Sequence, residues 1–350
     1  MRDIFEEYLR EKEPQKKEKG YAWHTAIGLQ AVDGLNTSEY LIETAKKNID
    51  GDITFEEADN LIHSYYKENI AHTNIDRTEE ADKVSVRIAQ LLSERSFVFS
   101  PAQYISIHGQ LFKGIYKHAG KIRDYNITKP EWVLDGDTVM YGGALDLRAT
   151  LDYDFSVEKE FSYKNLSTDE IIKHLAAFVS RLWQIHVFSE GNTRATAVFF
   201  IKYLRTLGFN VTNDIFAENA WYFRNALVRA NYTNLKKGVY ETTEYLELFL
   251  RNLLLGEENS LKNRDMHISN FLSSPKCSEK TDPCTLDCTL DERAVLNLLK
   301  TDGKMTQKQI AESIKKSERT VKTITASLEK QGFITRMNGK RFGYWKVNIE

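Results

Sequence analysis

His186-Val-Phe-Ser-Glu-Gly-Asn-Thr-Arg194 is the stretch on which the reading of this chain turns. Within nine residues it holds a proton acceptor, a carboxylate, a Gly-Asn turn and an arginine. Strong helical patterns flank it. Before it, Ser167 and Glu170 form a capping box. Ile171, Ile172, Leu175, Phe178, Val179, Leu182 and Trp183 then recur at helical spacing. After it, Val198, Phe199, Ile201, Tyr203 and Leu204 continue the pattern, with Gly208 as the stop signal. The spacing predicts a rigidly held loop that ends on a helix N-terminus.

Such a loop has a definite chemistry. The backbone N–H groups of Gly191, Asn192, Thr193 and Arg194 would face an anion, and the helix dipole adds positive potential there. Gly191 permits a tight turn and close approach of a phosphate. Arg194 adds charged donors. Glu190 is a candidate ligand for Mg²⁺ bridging two phosphates. His186, with an ordinary pKa near neutrality, is a candidate base. Phe188 is expected to anchor the loop to the core. The plainer alternative is a helix-loop-helix with a buried histidine and a capping asparagine.

The loop resembles that of the Fic family, H-x-F-x-[D/E]-G-N-G-R-x-x-R, at His186, Phe188, Glu190, Gly191, Asn192 and Arg194. The resemblance implies a general base in His186 and a magnesium ligand in Glu190. It also implies an anion hole at Gly191 and Asn192, and a donor-phosphate contact in Arg194. Most members transfer AMP from ATP to a protein hydroxyl; some remove it, and some move other phosphate-containing groups. Two positions depart. Thr193 replaces the second glycine, narrowing the nest but adding a hydroxyl. Ala197 replaces the second arginine, which puts the usual donor or the rate in question. Losing one charged hydrogen-bonding partner costs roughly 1.5–3 kcal/mol, so weak activity is compatible with that loss.

Upstream, the segment Ile107 to Arg123 is similar to the first core helices of Fic domains, with their AG-x-x-R turn at Ala119, Gly120 and Arg123. Thr138, Val139, Met140 and Tyr141 are β-prone and precede Gly142 and Gly143, which reads as a short hairpin. In the family a hairpin flap registers the target segment by strand addition; here it would span Asp137–Leu147.

The flanking regions divide the chain further. Residues 1–20 are mostly charged and read as a solvated arm or frayed helix. His24 to Val32 would form one helix ending at Gly34. Asn36-Thr-Ser-Glu39 caps a second that Gly51 breaks, and a Thr54–Glu57 capping box opens a third. This region, 21–70, resembles the small antitoxin domain that represses Fic enzymes through an [S/T]-x-x-x-E-[G/N] helix. Leu29 stands for the Ser/Thr and Asp33 for the Glu, followed by Gly34. In the family that glutamate pairs with the second loop arginine, here Ala197. The expectation is therefore that the usual ion pair does not form. The domain would inhibit weakly, and exchanging Asp33 would change activity little.

Residues 289–350 carry 13 Lys and Arg against 7 Asp and Glu, a local +6 against a formal net of −2 for the chain. A helix opening at Thr306, a turn at Lys315–Ser317, a second helix through Leu328 and a Gly-tipped hairpin resemble a winged helix-turn-helix. Arg319, Lys322, Lys340 and Arg341 are the candidate phosphate contacts for DNA. Such domains also mediate protein contacts and dimers. Cys277, Cys284 and Cys288 crowd into the linker, 256–288, with Pro275 and Pro283 and read as free thiols. No apolar run reaches the roughly 18 residues of a membrane span, and the start does not read as a signal peptide. The expectation is a soluble cytoplasmic protein.

The expected fold is mainly α: an N-terminal helical domain (21–70), a Fic helical core with a hairpin flap (71–255), and a C-terminal winged helix (289–350). The function implied by the resemblance is protein adenylyltransfer, using ATP as donor and Mg²⁺, on a partner protein or on the chain itself. The alternative is a DNA-binding regulator or scaffold whose Fic core senses nucleotide. Homodimers are frequent among such proteins, but no residues here mark an interface.

Overall fold

The computed structural model describes residues 8, 13–68, 76–211, 214–269, 295–296, 298–300, 303–314, 316–330, 333–337 and 344–347. The fold is mainly helical, with a single two-stranded sheet among the described residues. The chain divides into two units, Met1–Pro275 and Lys276–Glu350.

In the first unit, helix α1 (Pro14–Gly28) starts with proline in its first turn, where a missing N–H costs nothing. It begins inside the stretch read as a solvated arm or frayed helix, and from Pro14 onward that stretch is helix. The first half of α1 carries Lys16, Glu18 and Lys19; the second half buries Ala22, Trp23 and Ala26. Gly28 lets the helix approach its neighbour closely, since a Cβ there would lie 2.3 Å from the carbonyl oxygen of Ala217. The chain then tightens into a 3-10 turn (Leu29–Asp33), capped by left-handed Gly34. The expected single helix from His24 to Val32 is thus α1 followed by that turn.

Helix α2 (Glu39–Asp50) is capped by Ser38 and stopped by Gly51. Helix α3 (Phe55–Glu68) opens at the Thr54–Glu57 box. Helix α4 (Asp76–Ser93) is closed at its C-terminus by two cations from elsewhere. Lys202 donates to the Leu91 and Glu94 carbonyls at 2.6 and 2.7 Å, and Arg205 donates to Leu92 at 2.5 Å. Such groups satisfy carbonyls that a helix end leaves unpaired. The 21–70 region shares one apolar core with the helices that carry the loop: Trp23, Leu29, Leu41 and Ile62 belong to the same cluster as Trp183 and Phe188.

Helix α5 (Pro101–Phe112) is capped by Ser100, and α6 (Leu147–Glu160) follows the proposed flap. Helix α7 (Thr168–Ile185) has both hydrogen bonds of its Ser167–Glu170 box. Helix α8 (Asn192–Thr206) is buried on every side from Asn192 to Leu204, the mark of a central helix. Phe99, Tyr104, Phe155 and Phe199 pack their rings around it.

The hairpin flap is not formed. No strand is found between residues 121 and 146. Trp132–Leu134 is a 3-10 turn, and the segment from Asp137 to Gly143 is extended without a ladder. Its main-chain groups are taken by other partners. Gly142 donates to the Gln184 carbonyl at 3.3 Å, and its own carbonyl accepts from Arg123 at 2.5 Å. Gln184 donates to the Met140 carbonyl at 3.2 Å. The backbone of this β-prone segment is therefore held by a helix end and an arginine. Leu147, the predicted end of the flap, already opens α6.

The second unit contains α9 (Gln307–Ser313), opened by a Thr306–Gln309 capping box, and α10 (Glu318–Lys330). Strands β1 (Ile334–Met337) and β2 (Tyr344–Val347) pair antiparallel, with Ile334 opposite Val347 and Met337 opposite Tyr344. Val295, Leu299, Ile310, Val321, Leu328 and Ile334 form its separate core. The hairpin tip with Lys340 and Arg341, the three cysteines, Lys315 and the side chain of Arg319 lie outside the described residues. Lys322 is exposed on α10.

Candidate active site

His186 caps α7 in the left-handed region, at φ 51° and ψ 55°. A non-glycine residue there is uncommon and points to a functional constraint. Its imidazole is 4 % exposed. The Tyr141 ring lies 4.2 Å away by centroids, and Trp183 stands perpendicular to it at 5.3 Å. Nδ1 is 3.3 Å from the Trp183 carbonyl oxygen. A carbonyl only accepts, so that bond puts the proton on Nδ1 and leaves the Nε2 lone pair as the basic site. Burial, followed by the charge of Lys129, holds the imidazole pKa well below its ordinary value. The group is neutral at physiological pH and thus able to accept a proton.

The loop backbone is secured from two sides. Arg123 is 4 % exposed and donates from Nε to the His186 carbonyl at 2.8 Å, while its backbone N–H reaches Val187 at 2.9 Å. His108 accepts from the Gly120 N–H at Nδ1, at 2.9 Å. Its Nε2 must therefore carry the hydrogen, which it donates to the Glu190 carbonyl at 2.9 Å. Burial pushes the His108 pKa down to about 4, keeping the ring in this neutral form. Phe188 is fully buried and stacks on His108 at 3.7 Å.

Gly191 is left-handed, with φ 75°, and a Cβ there would lie 2.4 Å from the Phe112 ring. Asn192 clips the loop: its amide donates to the Phe188 carbonyl at 2.7 Å and its oxygen accepts the Phe188 N–H at 3.0 Å. Asn192 does not cap the helix, whose N-cap is Gly191; its side chain closes the loop onto Phe188 instead. The Thr193 hydroxyl accepts from the Trp183 indole at 2.9 Å. The backbone N–H groups of Asn192, Thr193 and Arg194 find no acceptor among the described residues, although all three residues are buried. The first N–H groups of a helix have no acceptor within it, and here all three belong to buried residues.

Arg194 is 1 % exposed and surrounded. Nε lies 2.8 Å from Asp33 Oδ2, an ion pair whose N–H does not point along a hydrogen bond. Nη2 donates to Glu80 at 2.6 Å and to the Tyr116 hydroxyl at 3.3 Å; Nη1 donates to Gln30 at 3.0 Å. The guanidinium also covers the Phe112 ring at 4.8 Å. Burial opposes its charge, but Asp33, Tyr116 and Glu80 outweigh burial and raise its pKa. This corrects the expectation that Asp33 lacks its ion pair. The partner is the first loop arginine rather than position 197, and Ala197 lies fully buried in the core. The 3-10 turn ending at Gly34 brings Asp33 there.

Glu190 is 55 % exposed and pairs with Lys129 Nζ at 3.0 Å. Among the described residues no cluster of three metal-ligating side chains exists. A lone exposed carboxylate does fit Mg²⁺, which commonly takes one or two protein carboxylates and completes its shell with water and phosphates. Of the segment read as the flap, Val139 is buried and Met140 is 84 % exposed. Thr138 accepts from the Lys129 N–H, and Tyr141 donates to Glu131 at 3.0 Å. Glu131 is itself held by Arg224 at 2.6 and 3.0 Å. Lys129, Glu80, Gln30 and the Glu131–Arg224 pair were not singled out from the sequence. Each reaches the site from far along the chain, and no local pattern marks it.

Residues 98–204 match the Fic/DOC family, and residues 292–335 match the winged helix-turn-helix DNA-binding family. The chain thus carries a Fic domain followed by a winged helix-turn-helix. A search of curated proteins finds no match. Two solved structures show slight likeness. One is the N-terminal Fic domain of Bep8, a VirB-translocated effector from Bartonella sp. 1-1C. It is 19 % identical over 54 % of this chain and 88 % of that one, with a TM-score of 0.42. The other is a Fic family protein from Desulfovibrio desulfuricans G20, 13 % identical over 99 % of this chain and 93 % of that one, with a TM-score of 0.47. Among the described residues no helix is long and apolar enough to cross a membrane.

Proposed function

We propose that this chain transfers AMP from ATP to a hydroxyl of a protein, and that the turn carrying Asp33 restrains the reaction by holding Arg194. The observation that carries the reading is the set of buried, unpartnered N–H groups at the start of α8, beside a neutral imidazole with a free Nε2. In this mechanism Nε2 of His186 takes the proton of the incoming hydroxyl. The hydroxyl oxygen forms a bond to the α-phosphorus, and the bond to pyrophosphate breaks. The first-turn N–H groups of α8 stabilise the leaving phosphates. Glu190 would hold the divalent cation, which supplies charge neutralisation of the phosphates when bound.

Incubation with α-labelled ATP and Mg²⁺ tests this reading. Label on protein is expected with the parent chain and should fall by about a hundredfold or more in His186→Ala. Equal labelling of a folded His186→Ala chain would remove His186 from the mechanism.

A second reading is favoured by the winged-helix match. We infer that the second unit binds DNA through the exposed face of α10, with Lys322 among the contacts. Retention on duplex DNA should weaken steeply with salt, and Lys322→Ala should flatten that dependence. Salt-independent or absent retention would favour a protein-contact role.

A further inference from the structure

Three of the cations around the loop each have several partners or a bidentate one. Arg194 is enclosed by Asp33, Glu80, Gln30 and Tyr116. Arg123 spends its guanidinium on the His186, Tyr125 and Gly142 carbonyls. Arg224 is bidentate on Glu131, whose side chain is fully buried. Lys129 differs. Among the described residues its ammonium pairs with the half-exposed Glu190, and its own side chain is 27 % exposed. An exposed ion pair contributes little to folding and exchanges readily with solvent ions, so this pair has no strong structural reason to exist. Its backbone is nonetheless placed, through the N–H bond to Thr138 at 3.3 Å. Position 197, where a second loop cation would stand, is a buried alanine.

We propose that Lys129 is a phosphate-binding residue of this site, supplying from the 124–130 segment the cation that the loop itself lacks. It rests on the nucleotide reading given above. The ammonium pairs with Glu190, so phosphates bridged by a cation on that carboxylate would come within its reach. Its charge is also felt at His186, where it ranks next after burial in lowering the pKa. Lysine suits this place because it acts as a point charge on a flexible stem, with no fixed fork geometry to satisfy.

The test is nucleotide binding by calorimetry to the full chain carrying Asp33→Asn, which relieves Arg194 of one carboxylate. ATP with Mg²⁺ and adenosine are the two probes. Adding Lys129→Ala should weaken ATP by about tenfold or more and leave adenosine unchanged, and Lys129→Arg should restore most of the loss. Unchanged ATP affinity in Lys129→Ala overturns the assignment of Lys129 alone. Equal weakening of ATP and adenosine also overturns it, by showing a structural role. Failure of the Asp33→Asn chain to bind ATP at all overturns the nucleotide reading and this assignment with it.

Discussion

Gly191→Ala should collapse the loop and eliminate ligand binding. A Cβ at this position would lie 2.4 Å from two atoms of the Phe112 ring and 3.1 Å from a third. The ring has little room to yield. It is fully buried, and its centroid lies 4.8 Å from those of both His108 and Tyr116. The Arg194 guanidinium covers it as well. The left-handed backbone adds roughly 1–2 kcal/mol for any residue with a Cβ, and overpacking adds about 1–3 kcal/mol. The variant should therefore lose a few kcal/mol of stability, read by denaturant unfolding. Any folded fraction should bind nucleotide at least about a hundredfold more weakly, given the displaced first turn of α8. A variant as stable as the parent, with unchanged binding, would mean that Phe112 moves aside and that this contact does not shape the loop.

The second large effect concerns Arg194. One buried guanidinium faces two carboxylates, Asp33 and Glu80. Removing one leaves a balanced pair, so Asp33→Asn should fold normally. It also frees Nε for an anion, and nucleotide affinity and labelling should rise by about tenfold or more. This reverses the expectation drawn from the sequence, where Asp33 had no cationic partner. Removing both carboxylates strands a buried charge, which costs about 3–5 kcal/mol. The Asp33→Asn/Glu80→Gln chain should therefore melt early, and ATP should stabilise it more than it stabilises the parent. Thermal unfolding with and without ATP reads both effects. An Asp33→Asn chain that binds and labels like the parent would show that the Asp33 contact does not restrain the site.

The local features were legible because they rest on neighbouring residues. The Ser167–Glu170 and Thr54–Glu57 boxes, the stops at Gly34, Gly51 and Gly208, and the helix-loop-helix around Gly191 all follow from short-range hydrogen bonding and backbone geometry. His186 is buried and Asn192 clips the loop, and the N–H groups beside them find no acceptor among the described residues. The long-range features were not legible. Arg194 meets Glu80 across 114 positions and Gln30 across 164, and no spacing rule predicts such a meeting. Asp33 was assigned to position 197 by analogy of motif, whereas the 3-10 turn delivers it to Arg194. The flap reading failed for a related reason. Thr138 to Tyr141 have the side chains of a strand, but Arg123 and Gln184 take backbone groups that a ladder would need.

The most direct measurement pairs α-labelled with γ-labelled ATP in the presence of Mg²⁺, using the Asp33→Asn chain beside the same chain carrying His186→Ala. Nucleotidyl transfer predicts α-label on protein, γ-label released as pyrophosphate, and neither retained once His186 is removed. Retention of γ-label would show phosphoryl transfer instead. Absence of both labels from protein, with ATP bound, would contradict AMP transfer and leave a site that only senses nucleotide.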